Sequence, residues 1–182
     1  MTKFYTQTGD DGYTGLLGEG RAPKYDRRIE TIGAIDEANA AIGLARSISL
    51  VPQTSSVLLT AQKDLYYIMA EIAALPENAS RFRKITSERV DWLESQIDEI
   101  SSQIIIPDEF IVPGDSTAGA AIDLARTIIR RAEGHIAYLL HQKKLENREL
   151  LRYMNRLSSL CFAFELLENQ ASGCINPTLA KE

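Results

Sequence analysis

The chain has little sulfur, little histidine and no surplus of positive charge. Two cysteines in 182 residues, Cys161 and Cys174, exclude a disulfide scaffold and a four-cysteine zinc site. Cys161 stands in the apolar run Ser159-Leu160-Cys161-Phe162 and reads as a buried packing thiol, because an unpaired cysteine behaves as a small hydrophobe. The two histidines, His135 and His141, are six residues apart, a separation that puts them on different faces of one helix. With no His-Glu-x-x-His segment either, a metallohydrolase reading fails. A serine triad has nothing in its favour beyond the presence of the residue types. No apolar run approaches the roughly 18 residues that cross a bilayer. Met1-Thr2-Lys3-Phe4-Tyr5 is not a basic stretch leading into an apolar one, so no secretory leader is expected and a cytoplasmic location is. Lys+Arg number 20 against 25 Asp+Glu, a net charge of -5 and a pI of about 5.2. That balance speaks against general nucleic-acid binding but leaves room for a local basic pocket that takes a phosphate-bearing small molecule.

What remains is an ordinary globular composition, 45% apolar and 25% charged, in a length that suits a single domain with its own core. Residues 1–25 are dense in Gly and Thr, which breaks helices, and read as an ordered loop with a short extended piece at 3–6. Five helical patterns follow over residues 26–48, 54–75, 87–103, 116–142 and 148–169. The second steps through Leu58, Ala61, Leu65, Ile68, Ile72 and Leu75, and the fourth through Ile122, Ala125, Ile129, Ala132, Ile136 and Leu139, the 3–4 rhythm of a bundle seam. Pro76 is expected to stop the second helix. Thr86 or Ser87, Asp115 or Ser116, and Asn147 are expected caps. Pro107, Pro113 and Gly114 make 104–115 a loop with apolar anchors, and the tail from Ala171 is expected to fray. The expected fold is all-α, an antiparallel five-helix bundle over 26–170, preceded by the loop 1–25 and followed by the tail 171–182, in one domain.

Four places could carry chemistry. The head Thr6-Gln7-Thr8-Gly9-Asp10-Asp11-Gly12-Tyr13-Thr14-Gly15 offers backbone N–H groups and hydroxyls that can wrap phosphate oxygens, or it is a plain mobile terminus. It is not a Walker A loop, since the Gly-Lys-Ser/Thr ending is missing; Lys24 is the next cation. Asp123, Arg126, Arg130 and Glu133, spaced 3, 4, 3, share one face of the fourth helix, with Arg131 about 100° round from Arg130. This is either a polyphosphate site or a salt-bridged surface. Asn155, a poor helix former inside a helix, is either a surface residue or a hydrogen-bonding group for a ligand. Asp36-Glu37 are surface charges, or orient the arginines.

Taken together, these segments resemble the ATP:cob(I)alamin adenosyltransferases of the propanediol-utilisation and human mitochondrial type. The resemblance runs through Tyr5-Thr6-Gln7-Thr8-Gly9-Asp10-Asp11-Gly12, Arg21-Ala22-Pro23-Lys24, Gly33-Ala34-Ile35-Asp36-Glu37-Ala38-Asn39, Phe110-Ile111-Val112-Pro113-Gly114, Leu124-Ala125-Arg126 with Arg130-Arg131-Ala132-Glu133, and Tyr153-Met154-Asn155-Arg156-Leu157-Ser158, in the family's order. It implies a homotrimer that holds ATP with Mg²⁺ between neighbouring subunits and adenosylates cob(I)alamin. A corrinoid reductase and an adenosylcobalamin-dependent client enzyme would be its partners. It implies that Thr6, Gln7, Thr8, Gly9, Thr14, Gly15 and Lys24 lie near the nucleotide, joined by Arg130, Arg131, Glu133 and Asn155 of another subunit. Asp36 and Arg126 match an intersubunit salt bridge. Phe110 matches the aromatic that packs under the corrin and displaces its lower ligand. No protein metal ligand is implied; Mg²⁺ would be held mainly by the ATP phosphates. Gln7 and Asp11 stand where the family often has Lys, Asp115 where it has Gly, Gly134 where it has Arg, and Ser159 where it has Asp. These departures motivate an alternative, a non-catalytic ATP or corrinoid carrier or sensor of the same fold. A ligand-free structural bundle is the third reading.

Overall fold

The computed structural model describes residues 5–75 and 77–181. A two-stranded antiparallel hairpin, β1 (Tyr13–Gly15) and β2 (Arg21–Pro23), precedes the helices α1 (Arg27–Ile48), α2 (Pro52–Ala73), the one-turn α3 (Ala79–Phe82), α4 (Ser87–Ser101), α5 (Thr117–His141) and α6 (Glu149–Ala171). The five long helices are the five expected, with ends shifted by a few residues. The hairpin and α3 were not expected. Of the extended piece expected at 3–6, residues 3 and 4 lie outside the described residues, as does Pro76; Tyr5 and Thr6 are not in a strand.

Contacts along the bundle fix its directions. Arg27 lies over the Tyr138 ring at 5.5 Å, while Glu37, ten residues on, pairs with Arg131, so α1 and α5 run antiparallel. Ser116 bonds Asn169 at 2.6 Å and Glu133 accepts from Asn155 at 3.1 Å, so α5 and α6 do too. Between them Ile35, Ile42, Leu58, Leu65, Ile68, Leu93, Ile122, Ile129, Ile136, Tyr153, Leu157 and Phe164 are almost wholly buried, each burial stabilising the fold by about 2 kcal/mol. The predicted apolar stripes are thus the core, and Cys161 is buried in it, its thiol pushed up to about 12 by burial.

Buried acids tie the helices where apolar packing does not. The Tyr153 hydroxyl donates to Asp64 at 2.7 Å. Arg89 also bonds Asp64, and its guanidinium lies 4.5 Å from the Trp92 ring centre. Glu168 accepts the backbone N–H groups of Leu50 at 2.8 Å and Val51 at 3.2 Å, and the Ser49 hydroxyl. Val51 has no capping side chain, so this carboxylate serves the turn that starts α2. The helix begins at Pro52 rather than 54 because proline needs no N–H partner in a first turn. Ser116 caps α5 through Gly119 N at 2.9 Å, and Asn147 accepts from Glu149 N at 3.1 Å. Thr86 stands at the N-cap of α4 without a side-chain capping bond.

The tail corrects the expectation of fraying. Val112 N donates to Thr178 O at 2.7 Å and Ala180 N to Phe110 O at 2.7 Å, with Ile111 and Leu179 bridged between them. Asp115 accepts from Thr178 twice, from N at 2.9 Å and from the hydroxyl at 2.7 Å. Sequence pattern misses this because the pairing is backbone to backbone across more than sixty residues.

Candidate functional site

The head is built around one arginine. Arg21, on β2, donates to both Asp11 oxygens at 2.7 and 2.8 Å and to the carbonyls of Thr8 and Tyr13. Asp11 also accepts Tyr13 N at 3.1 Å. The Arg21 hydrogen bonds come first, then that of Tyr13, in holding the Asp11 carboxyl below its ordinary value of 3.8. Backbone bonds from Asp10 N to Gln7 O and from Gly12 N to Gly9 O curl the loop, and Gln7 sits at φ 61, the left-handed region that side chains rarely adopt. Thr6 and Thr8 share a 2.8 Å hydroxyl bond. A Cβ at Gly9 would lie 3.1 Å from Lys24 Nζ, so the ammonium hangs over bare backbone. Thr14 and Gly15 stand on β1 beside this cradle. Leu17 N donates to Ala73 O at 2.9 Å, and Leu75 N to Leu17 O at 3.2 Å, fastening the head to the end of α2. Gly18, at φ +138, lies where a Cβ would meet the Leu75 side chain and Asn78 at 3.0 Å.

The second cluster lies on α5. Arg126 donates from Nε to Asp123 Oδ1 at 2.6 Å. Arg126 and Arg130 both line a cavity of about 360 Å³ whose other walls include Ile97 of α4, Ile106, and Ser158, Ser159 and Phe162 of α6. Arg130 is exposed and makes no ion pair among the described residues. Arg131, on the neighbouring face as predicted, crosses to Glu37 of α1. Glu133 is held by Asn155 Nδ2, and Asn155 Oδ1 accepts from Arg156 Nη1 at 2.9 Å. Asn155 is therefore the joint between α5 and a polar ladder on α6 that continues to Glu94.

A second cavity of about 460 Å³ adjoins the first. Phe110, Ile111 and Pro113 line it together with Asp123, Arg126 and Phe162, so Arg126 and Phe162 belong to both walls. Phe110 is 84% exposed, an unusual position for a phenyl ring unless something covers it. The tail pairing described above holds its loop in place.

One chain joins some of the predicted residues and not others. It unites Arg126, Arg130 and Phe110 around adjoining cavities, Glu133 with Asn155, and Lys24 with Gly9. It does not join the head to the arginines: the head's hydrogen bonds stay within itself and the end of α2. Arg130 is eight residues back along α5 from Tyr138, which lies at the start of α1, a distance of about 12 Å. Asp36 is exposed, and within the chain Arg126 is held by Asp123 instead. Among the described residues, no group of three or more His, Cys, Asp and Glu able to hold a metal ion occurs, and no helix is long and apolar enough to cross a membrane.

Reading the sequence alone gave no role to Arg21, which stands there only within a matching segment, and passed over Thr178 and Glu165. Arg21 and Thr178 act through backbone carbonyls and loops, which leave no periodic trace. Glu165 did leave one, as a lone charge inside Leu160-Cys161-Phe162-Ala163-Phe164-Glu165-Leu166-Leu167.

The chain matches known proteins over nearly its full length. The family profile described as cobalamin adenosyltransferase matches residues 4–168. The corrinoid adenosyltransferase of Bacillus subtilis is 39% identical over 175 residues, covering 94% of this chain and 89% of that protein. Corrinoid adenosyltransferase PduO of Citrobacter freundii is 36% identical over 167 residues, 91% of this chain but 50% of that longer protein. Among solved structures, a variant of the PduO-type ATP:corrinoid adenosyltransferase from Lactobacillus reuteri, complexed with cobalamin and ATP, superposes with a TM-score of 0.88 at 30% identity, over 99% of this chain and 97% of that one. With sequence match and helix arrangement agreeing over nearly the full length, the chain belongs to the cobalamin adenosyltransferase family.

Proposed function

We propose that the chain transfers the 5′-deoxyadenosyl group of ATP to the cobalt of cob(I)alamin, at sites completed between copies of a homotrimer. The Co(I) electron pair attacks C5′; the cobalt–carbon bond forms as the C5′–O bond breaks, and its electron pair leaves on triphosphate. Co(I) is itself a strong nucleophile, so the hard chemistry resides in the corrinoid. The chain's task is to align the reactants and to stabilise the charge that gathers on the leaving triphosphate.

The observation that carries this reading is Arg130, an exposed guanidinium with no ion partner among the described residues, on the wall of a cavity that adjoins the Phe110 loop. It is a cation available for phosphate beside an apolar shelf suited to a corrin. The head of a second copy would bring Thr6, Gln7, Thr8, Gly9, Thr14, Gly15 and Lys24, with Arg131, Glu133 and Asn155 shaping the opposite wall. Mg²⁺ would enter on the ATP phosphates. Asp36 of one copy would reach Arg126 of the next, and Phe110 would exclude water and the lower ligand. The protein would work in the cytoplasm between a corrinoid reductase and an enzyme that uses the product.

The test is anaerobic mixing of protein, Mg-ATP and chemically reduced cobalamin, followed by the absorbance of the cobalt–carbon bond. Arg130→Ala is expected to lower kcat/KM by about 100-fold or more, the loss typical of one oxyanion-stabilising group, with the oligomer's mass unchanged. Near-normal turnover in that variant would move the triphosphate elsewhere. Absence of product with the wild-type protein would reject adenosyl transfer.

A further inference from the structure

Behind the Arg126 wall lies a carboxyl group that the reaction as described does not use. Glu165, on α6, is 0% exposed, and neither of its oxygens has a hydrogen-bond partner. The group that faces it is a second carboxyl, Asp123 of α5, itself 8% exposed and bonded to Arg126 Nε. Arg126 serves Asp123, but Glu165 has no donor, and between the two carboxyl groups there are only acceptors. A proton on Glu165 gives that carboxyl its partner in Asp123 and removes the like-charge contact.

We propose that Glu165 is a positioning residue that stays protonated and donates to Asp123, so that the pair carries one negative charge and holds Arg126 by Nε alone at the wall shared by the two cavities. The two Nη groups of Arg126 make no hydrogen bond among the described residues. They remain free to face a carboxylate of a neighbouring copy or a ligand. A second negative charge on the pair would draw that fork inward and away from the cavities.

Burial first, and then the Asp123 charge, push the Glu165 carboxyl from its ordinary 4.5 up to about 8. Its other charged neighbours are Arg126, which opposes the rise, and the more distant Asp115. Cys161, one turn back on α6, stays a neutral thiol. The proton is therefore retained across neutral pH and lost on the alkaline side.

The inference rests on the corrinoid reaction occurring beside Arg126, and its tests separate the two. In wild-type protein, kcat/KM for the corrinoid should fall as pH rises through about 8. Glu165→Gln keeps a donor toward Asp123 and cannot ionise. It should retain activity within about twofold at neutral pH and lose the alkaline fall. Glu165→Leu removes the donor and should lose about tenfold at neutral pH, roughly one hydrogen bond to a charged group. Equal impairment of both variants with unchanged pH profiles would overturn the proposal. A second readout needs no turnover. Because the folded value lies above the unfolded one, the stability this proton contributes is full below 4.5 and fades as pH rises toward about 8, the unfolded chain releasing the proton while the folded one keeps it, so wild-type stability should decline across that window. The decline should be absent in Glu165→Gln, and a matching decline in that variant would overturn the shared proton even if adenosyl transfer itself proved wrong.

Discussion

At the scale of single residues, Asp11 is the departure whose effect changes most once its partners are known. As an acid beside a triphosphate it should repel the nucleotide. In the folded head its charge is instead committed to Arg21, through two short bonds that also close the loop over the Thr8 and Tyr13 carbonyls. The family-like substitution Asp11→Lys should therefore raise the KM for ATP, by about tenfold, because it sets a second cation against Arg21 and loosens the cradle. A lower KM in steady-state titrations of Mg-ATP would show that the bare charge at position 11 matters more than the loop it organises. The sign of the pH effect follows from the same bonds. Asp11 is held below its ordinary value, so its contribution is present above about pH 4 and fades as acid protonates it. The sequence named Asp11 as a liability and not as an anchor, because Arg21 is ten residues away and no helical spacing links them.

At the scale of elements, the helices were legible and the ties between them were not. The stripes of α2 and α5 follow a local period, so Leu65, Ile68, Ile129 and Ile136 could be placed inward without knowing what they meet. The tail could not. Thr178–Ala180 pairs with the Phe110 loop by backbone atoms that every residue carries, and only Asp115, recorded in the sequence as a departure from Gly, hinted at it. The tail therefore acts as a strap on the element that presents the phenyl ring. Thr178→Val, which removes the hydroxyl bond to Asp115 and keeps the shape, should raise the KM for the corrinoid by about fivefold, a hydrogen bond's worth, while leaving the KM for ATP unchanged. Equal changes in both would place the strap's influence outside the Phe110 loop. Phe110→Ala should likewise slow product formation more than it weakens ATP binding in calorimetry.

At the scale of the whole molecule, the two halves of the proposed site lie apart on one chain, with the head at the end of α2 and the arginines farther back along α5. This permits a test by mixing. A Lys24→Ala chain and an Arg130→Ala chain, each nearly inactive alone, should recover activity when unfolded and refolded together. Random assembly gives about a quarter of sites an intact head from one chain and an intact arginine from the other. Mixed protein no more active than its components would confine the site to single chains. Sequence alone could suggest this division through resemblance but not through spacing, since no pattern within a chain reports what lies across a symmetry axis.

The packing of Arg89 against Trp92 has an optical consequence. Trp92 is the chain's one tryptophan, and it sits on α4 with the Asp64-bound guanidinium against its ring, close to the junction of α2, α4 and α6. Its emission reports whether that junction is closed. In calorimeter-free melting experiments, the protein thus carries its own gauge of bundle integrity, one whose signal originates in the scaffold and not in the proposed nucleotide cradle, so loss of ligand and loss of fold can be told apart by colour.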